Sequence, residues 1–136
     1  MGDPIVNSIA KLVYNTRVHL RMDQRTVAGL ACVSPKFLSQ LENAKAALSL
    51  DKVLQVLNVL GLRVSPLNSS RIKLGEIVQT TRKAQTLDQA VAASLCGVSP
   101  KFLSQLENGK SSVRLDKVMA VLNGLGIKLK QENLST

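Results

Sequence analysis

The chain has 136 residues and a formal net charge of +9; 45% of it is hydrophobic, 20% is charged, and its aromatics are two Phe and one Tyr. That length suits one ordinary domain or two small ones. The composition excludes collagen-like, disulfide-stapled and disordered classes, and the basic excess points to a polyanionic partner.

In chain order, Asp3 before Pro4 reads as an N-cap followed by proline at the first helical position. Val6, Ile9, Ala10, Val13 and Tyr14 recur at helical spacing, so a first helix is predicted over about 4–20. A short second helix follows over Gln24–Ala31. Ser34-Pro35 repeats the cap-plus-proline signal and opens a third helix that ends near Glu42. Asn-Ala-Lys then breaks the chain. Ser49 is the expected cap of a fourth helix, with Asp51 in its first turn favourable to the helix dipole and Gly61 as its stop. The run after Gly61 alternates and reads as a short strand. Ser65–Ser70, "SPLNSS", is a turn-forming connector.

The same order then recurs 65 positions later. Ser70 caps a helix over 71–84 with Ile72, Leu74, Ile77 and Val78 as its stripe. Helices follow at Gln89–Cys96 and from Ser99-Pro100 to Glu107, then a fourth with Asp116 in its first turn and Gly126 as its stop, and a strand after that. Over Val33–Val64 against Val98–Leu129, 21 of 32 positions are identical; over Val6–Cys32 against Arg71–Gly97, only 7 of 27. The segment "VSPKFLSQLEN" is the same in both places. The period is too long and the copies too few for a solenoid. The expected fold is therefore mainly all-α: two tandem domains, 1–66 and 67–136, each of four or five short helices plus a C-terminal strand. A lone strand leaves its backbone groups unpaired. Leu62–Ser65 is expected to pair antiparallel with Ile127–Lys130, joining the copies as a pseudo-twofold dimer.

The middle of each copy, "DQRTVAGLACVSPKFLSQLEN" and "DQAVAASLCGVSPKFLSQLEN", is helix, four-residue turn, helix. These stretches resemble the phage-repressor and Cro-like (XRE-type) helix-turn-helix family, and within it the small HipB-like regulators, some of which are antitoxins. The matching features are Gln24/Gln89, Ala28/Ala93, the turns "CVS" and "GVS", Leu38/Leu103 and the exit "ENxK". The resemblance covers nearly all of both copies. It implies that Lys36, Ser39 and Gln40, with Lys101, Ser104 and Gln105, lie at DNA bases. Lys can donate to guanine O6/N7, and Gln can pair with adenine N6/N7. It further implies phosphate contacts from Gln24, Ser34, Asn43 and Lys45 and from Gln89, Ser99, Asn108 and Lys110. Free amides at the N-termini of the second and third helices suit phosphate oxygens. It also sets Arg17 against Glu42 and Arg82 against Glu107 as ion pairs, each 25 residues apart. Phe37 and Phe102 read as packing residues rather than stacking platforms.

Cys32 stands where the family prefers glycine, as at Gly97, so the turn of the first copy is expected to be slightly altered. Cys32 and Cys96 are not equivalent, lack metal spacing, and read as buried or inert thiols of a reducing cytosol. His19, Arg21 and Arg25 face Ala84, Thr86 and Ala90 in the second copy, so unequal binding by the copies is expected. The opening "MGDPIVNS" lacks a basic, apolar leader, and no run reaches the length of a membrane span. One His and the absence of a nucleophile–base pairing, a phosphate-cradling Gly loop or a metal cluster argue against an enzyme. No cofactor is expected. The leading expectation is a cytoplasmic, sequence-specific regulator of double-stranded DNA, repressing as a covalent pseudo-dimer. The alternative is an antitoxin or antiactivator that binds a toxin or regulator protein with the same fold.

Overall fold

The computed structural model describes residues 4–45, 47–69 and 71–132. Among them eight helices and two short strands follow in order: α1 (Pro4–His19), α2 (Gln24–Ala31), α3 (Pro35–Glu42), α4 (Leu50–Val59), β1 (Val64–Ser65), α5 (Leu74–Ala84), α6 (Gln89–Cys96), α7 (Pro100–Glu107), α8 (Leu115–Gly124) and β2 (Lys130–Gln131). The fold is mainly helical, as the periodicity and caps imply. The expected caps at Asp3 and Ser70 lie outside the described residues.

The chain forms two compact units. One takes the chain up to Leu62 together with Arg114–Asp116; the other takes Arg63–Val113 and the chain from Lys117 onward. In the first unit α2 packs on α3 and α4, and α1 packs on α3. Its centre is aliphatic: Val13, Val27, Ala28, Leu38, Leu41, Val53, Val56 and Leu57 are fully buried. In the second unit α7 receives both α5 and α6, over Val78, Ala92, Ala93, Leu103 and Leu106. Ala28 and Ala93 are fully buried, and their small side chains leave room for the helices beside them. Each buried leucine in these cores contributes about 1.5–3 kcal/mol relative to an exposed one.

Five sequence expectations need correction. Tyr14 was expected in the apolar stripe of α1 but is 48% exposed, with its ring 5.4 Å from the Arg17 guanidinium carbon; the stripe is Ile9, Ala10 and Val13. Second, α5 begins at Leu74 rather than at 71. Lys73 takes the cap position with extended backbone and no capping side-chain bond, and Ile72 lies before the helix, half-exposed. Third, Ser49 sits at the N-cap of α4, but its hydroxyl bonds no helix amide; it donates to the Asp51 carboxylate instead.

The fourth concerns the strands. They pair antiparallel, but as Val64 with Gln131 and Ser65 with Lys130, further along the chain than expected. The reason lies in the helix ends. Gly61 and Gly126 both adopt left-handed backbone (φ 71° and 74°). That turn sends the Leu62 N–H back to the Leu57 carbonyl and the Ile127 N–H back to the Leu122 carbonyl, both at 2.8 Å. Donors committed to a helix cap are lost to a sheet ladder, so pairing starts after them.

The turn between α2 and α3 is not altered by Cys32. Cys32 (φ 58°, ψ 38°) and Gly97 (φ 73°, ψ 28°) both occupy the left-handed region. The following N–H groups, of Val33 and Val98, reach the Ala28 and Ala93 carbonyls at 3.0 Å in both copies. Cys32 thus bears a backbone cost that Gly97 does not. Cys32→Gly is expected to raise stability by about 0.5–1 kcal/mol, after allowing for the greater freedom of glycine in the unfolded chain. A urea unfolding midpoint that fails to rise would contradict this account. Cys96 is buried, whereas Cys32 is exposed, so burial accounts for only one of the two thiols.

Candidate nucleic-acid interface

Each helix-turn-helix is built by its caps. The Asp23 carboxylate accepts from the Thr26 N–H at 2.7 Å and opens α2; Asp88 does the same for Val91 at 2.8 Å and opens α6. The Ser34 hydroxyl oxygen accepts from the Phe37 N–H at 2.9 Å, and Ser99 from Phe102 at 3.0 Å, each followed by proline in the first helical turn. Starting α3 and α7 at these points fixes which side of each faces inward. Leu38 and Leu41, and Leu103 and Leu106, are buried. Lys36 and Lys101 are exposed, while Ser39, Gln40, Ser104 and Gln105 are half-buried. Each copy therefore carries a Lys, a Ser and a Gln together on one helix, outside its buried leucines.

The phosphate candidates fall into three groups. Asn43 and Asn108 cap the C-termini of α3 and α7, and Lys45 and Lys110 follow, all four exposed. The Asn43 amide nitrogen donates to the Ser39 carbonyl at 2.8 Å and lies 3.4 Å from the Ser39 hydroxyl; Asn108 lies 3.4 Å from that of Ser104. Ser34 and Ser99 serve as caps. Gln24 and Gln89 are committed inward, since each Nε2 donates at 3.0 Å to a glutamate, Glu42 or Glu107.

Those glutamates are the centre of a buried network, the same in both copies. Arg17 Nε and Nη2 donate to Glu42 Oε2 and Oε1 at 2.6 and 2.9 Å, and Arg17 Nη1 donates to the Met22 carbonyl at 2.9 Å. In the second copy Arg82 bonds Glu107 at 2.7 and 3.0 Å, and the Leu87 carbonyl at 2.8 Å. The Glu107 side chain is 1% exposed and that of Glu42 is 5% exposed. Burial alone would push the Glu107 carboxyl up; hydrogen bonds from Arg82 and Gln89, with the Arg82 charge, outweigh it and hold the carboxyl below its ordinary range. The hydrogen bond to Glu107 is also the main reason that Arg82 holds its proton more tightly than usual, and Glu42 does the same for Arg17. The network ties the end of the first helix, the start of the second and the end of the third into one rigid corner. Sequence reading missed the Gln–Glu bonds, although both Gln–Glu separations are 18 residues and that repeated spacing was a usable signal.

Among the described residues there is no cluster of His, Cys, Asp or Glu fit to hold a metal ion, and no helix long and apolar enough to cross a membrane.

Comparison with known families agrees with this geometry. A helix-turn-helix family model (HTH_3) matches residues 13–67 and again 78–131. This chain belongs to the helix-turn-helix family. It is also similar to an uncharacterized HTH-type transcriptional regulator, y4mF, of Sinorhizobium fredii (strain NBRC 101917 / NGR234). The two are 38% identical over 56 residues, which is 41% of this chain and 74% of that protein. A span of that length is about one copy of the repeat.

Proposed function

We propose that the chain is a sequence-specific, double-stranded-DNA-binding transcriptional regulator, a repressor that acts by occlusion as a covalent pseudo-dimer. The observation that carries this reading is the twofold occurrence of one helix with an exposed Lys and a half-buried Ser and Gln, held by the same serine cap and the same buried Arg–Glu–Gln network. In this reading residues 1–66 and 67–136 each act as one DNA-reading domain, and the protein works as a binding protein in the cytoplasm. Lys36, Ser39, Gln40 and their counterparts Lys101, Ser104 and Gln105 meet base edges. Asn43, Lys45, Asn108 and Lys110 grip phosphates. Ser34 and Ser99 combine capping with a free hydroxyl proton for a phosphate oxygen. Gln24 and Gln89 have one amide hydrogen given to glutamate and one left to offer. Identical reading helices call for two near-identical half-sites about 34 Å apart, arranged as a pseudo-palindrome. Linking the copies makes the second contact intramolecular, so occupation of both half-sites does not depend on dimerisation.

Selection of bound sites from random duplexes tests the reading. Wild type is expected to enrich a pseudo-palindrome, and Lys36→Ala with Lys101→Ala is expected to lose preference at the matching base in both halves, by about 1–3 kcal/mol per site. Enrichment of a single half-site or a direct repeat would overturn the pseudo-dimer geometry, and absence of any enriched sequence would overturn specific recognition.

A further inference from the structure

Positions 46–49 and 111–114 differ at every residue between the copies, yet the next four, "LDKV", are the same. Three of these have structural duties. Leu50, Val53, Leu115 and Val118 are buried, and Asp51 and Asp116 take bonds from Ser49 and Arg114 at the helix starts. The fourth is an exposed lysine in each copy, Lys52 and Lys117, that no core requires. Its position is nevertheless held in the same way twice. The Lys52 ammonium nitrogen lies 5.9 Å from the centre of the Phe37 ring, and that of Lys117 lies 5.9 Å from the centre of the Phe102 ring. That is within the range of an attraction between a cation and a ring face. Phe37 and Phe102 belong to the first turns of α3 and α7, where Ser34 and Ser99 cap the same residues' N–H groups.

We propose that Lys52 and Lys117 are a second set of phosphate-gripping residues. On this view each is aimed by an aromatic ring at the backbone beside the reading helix, so that each half-site is gripped from α4 or α8 as well as from the exit of α3 or α7. The inference rests on the DNA-binding reading above. It gives Phe37 and Phe102 a positioning role in addition to packing. A ring-held ammonium loses less freedom on meeting a phosphate than a lysine waving in water, so it contributes at both half-sites without reading sequence.

The test is salt-dependent binding of the full chain to a 40-base-pair duplex of mixed sequence. Lys52→Gln with Lys117→Gln is expected to reduce the slope of log affinity against log salt by about 1.8, and to weaken binding on the order of tenfold at 0.1 M salt. Lys52→Arg with Lys117→Arg is expected to restore the slope. Phe37→Leu with Phe102→Leu keeps every charge and is expected to weaken binding; unchanged affinity there would overturn the aiming role. An unchanged slope in the glutamine variant, with wild type binding the duplex, would overturn the proposal and leave the DNA-binding reading standing. Failure of wild type to bind any duplex would overturn both. The lysines are exposed, so a thermal melt matching wild type is expected in the glutamine and arginine variants.

Discussion

Glu107→Ala is expected to destabilise the protein by about 3–5 kcal/mol, because it leaves the Arg82 guanidinium buried without its carboxylate. Arg82 is 7% exposed; its Nε and Nη2 donate to Glu107, and its Nη1 donates to the Leu87 carbonyl. Gln89 loses its partner as well. Arg82→Ala is expected to cost a similar amount, and the double variant less than the sum, since the second deletion removes the charge that the first one strands. Urea unfolding of the four proteins in this cycle measures the coupling; a value near zero would mean that the pair is solvated and only decorative. The pH dependence follows from the same contacts. The folded carboxyl titrates below its ordinary value of 4.5, so its contribution is fully present above that pH and is lost as pH falls through the folded value. Glu107→Gln removes a titrating group, and its stability is expected to be flatter than wild type below pH 4.5.

The second large effect is expected at Gly124. A β-carbon built there would lie 2.5 Å from Cys96 Sγ, 3.0 Å from Cys96 Cα and 3.1 Å from Cys96 Cβ. Yet the equivalent residue of the first copy is Val59, and the residue equivalent to Cys96 is Ala31. The residues at this pair of positions thus exchange bulk between the copies: alanine and valine in the first, cysteine and glycine in the second. Gly124→Val alone is therefore expected to overpack and cost about 1–3 kcal/mol. Gly124→Val with Cys96→Ala recreates the first copy's pairing and is expected to recover most of that loss. Equal destabilisation by the single and double variants in urea would show that the clash is with the backbone of α6 rather than with the thiol.

These two features differ in how far the sequence discloses them. The starts of α3 and α7 were legible because Ser-Pro marks them locally; the Asp23 and Asp88 caps that open α2 and α6 are equally local signals that the sequence reading did not use. The Arg–Glu pairs were legible through family resemblance and a repeated 25-residue spacing. The Cys96–Gly124 exchange was not, because steric complementarity is a property of two chain-distant residues brought together. The same holds at Gly75, where an added β-carbon would meet the Leu106 and Glu107 carbonyl oxygens at 2.7 and 2.6 Å, although the first copy accommodates Ala10 at that position. The strand register escaped for a different reason. Alternation marks where a strand can be, but not that a preceding helix cap has already taken its donors. Among the candidate base-reading residues, helical periodicity separates Lys36, Ser39 and Gln40 from Leu38 and Leu41. It gives no sign that Lys52, far along the chain, comes to lie over the Phe37 ring.

The two thiols give the two copies separate chemical addresses. Cys32 is exposed in the turn just before α3, whereas Cys96 is 8% exposed, its sulfur lies 3.6 Å from the Val121 carbonyl, and burial pushes its pKa up. A thiol-selective dye applied to the folded protein thus marks the turn before α3 and leaves the second copy dark, so the two copies can be told apart by fluorescence in the unmutated chain.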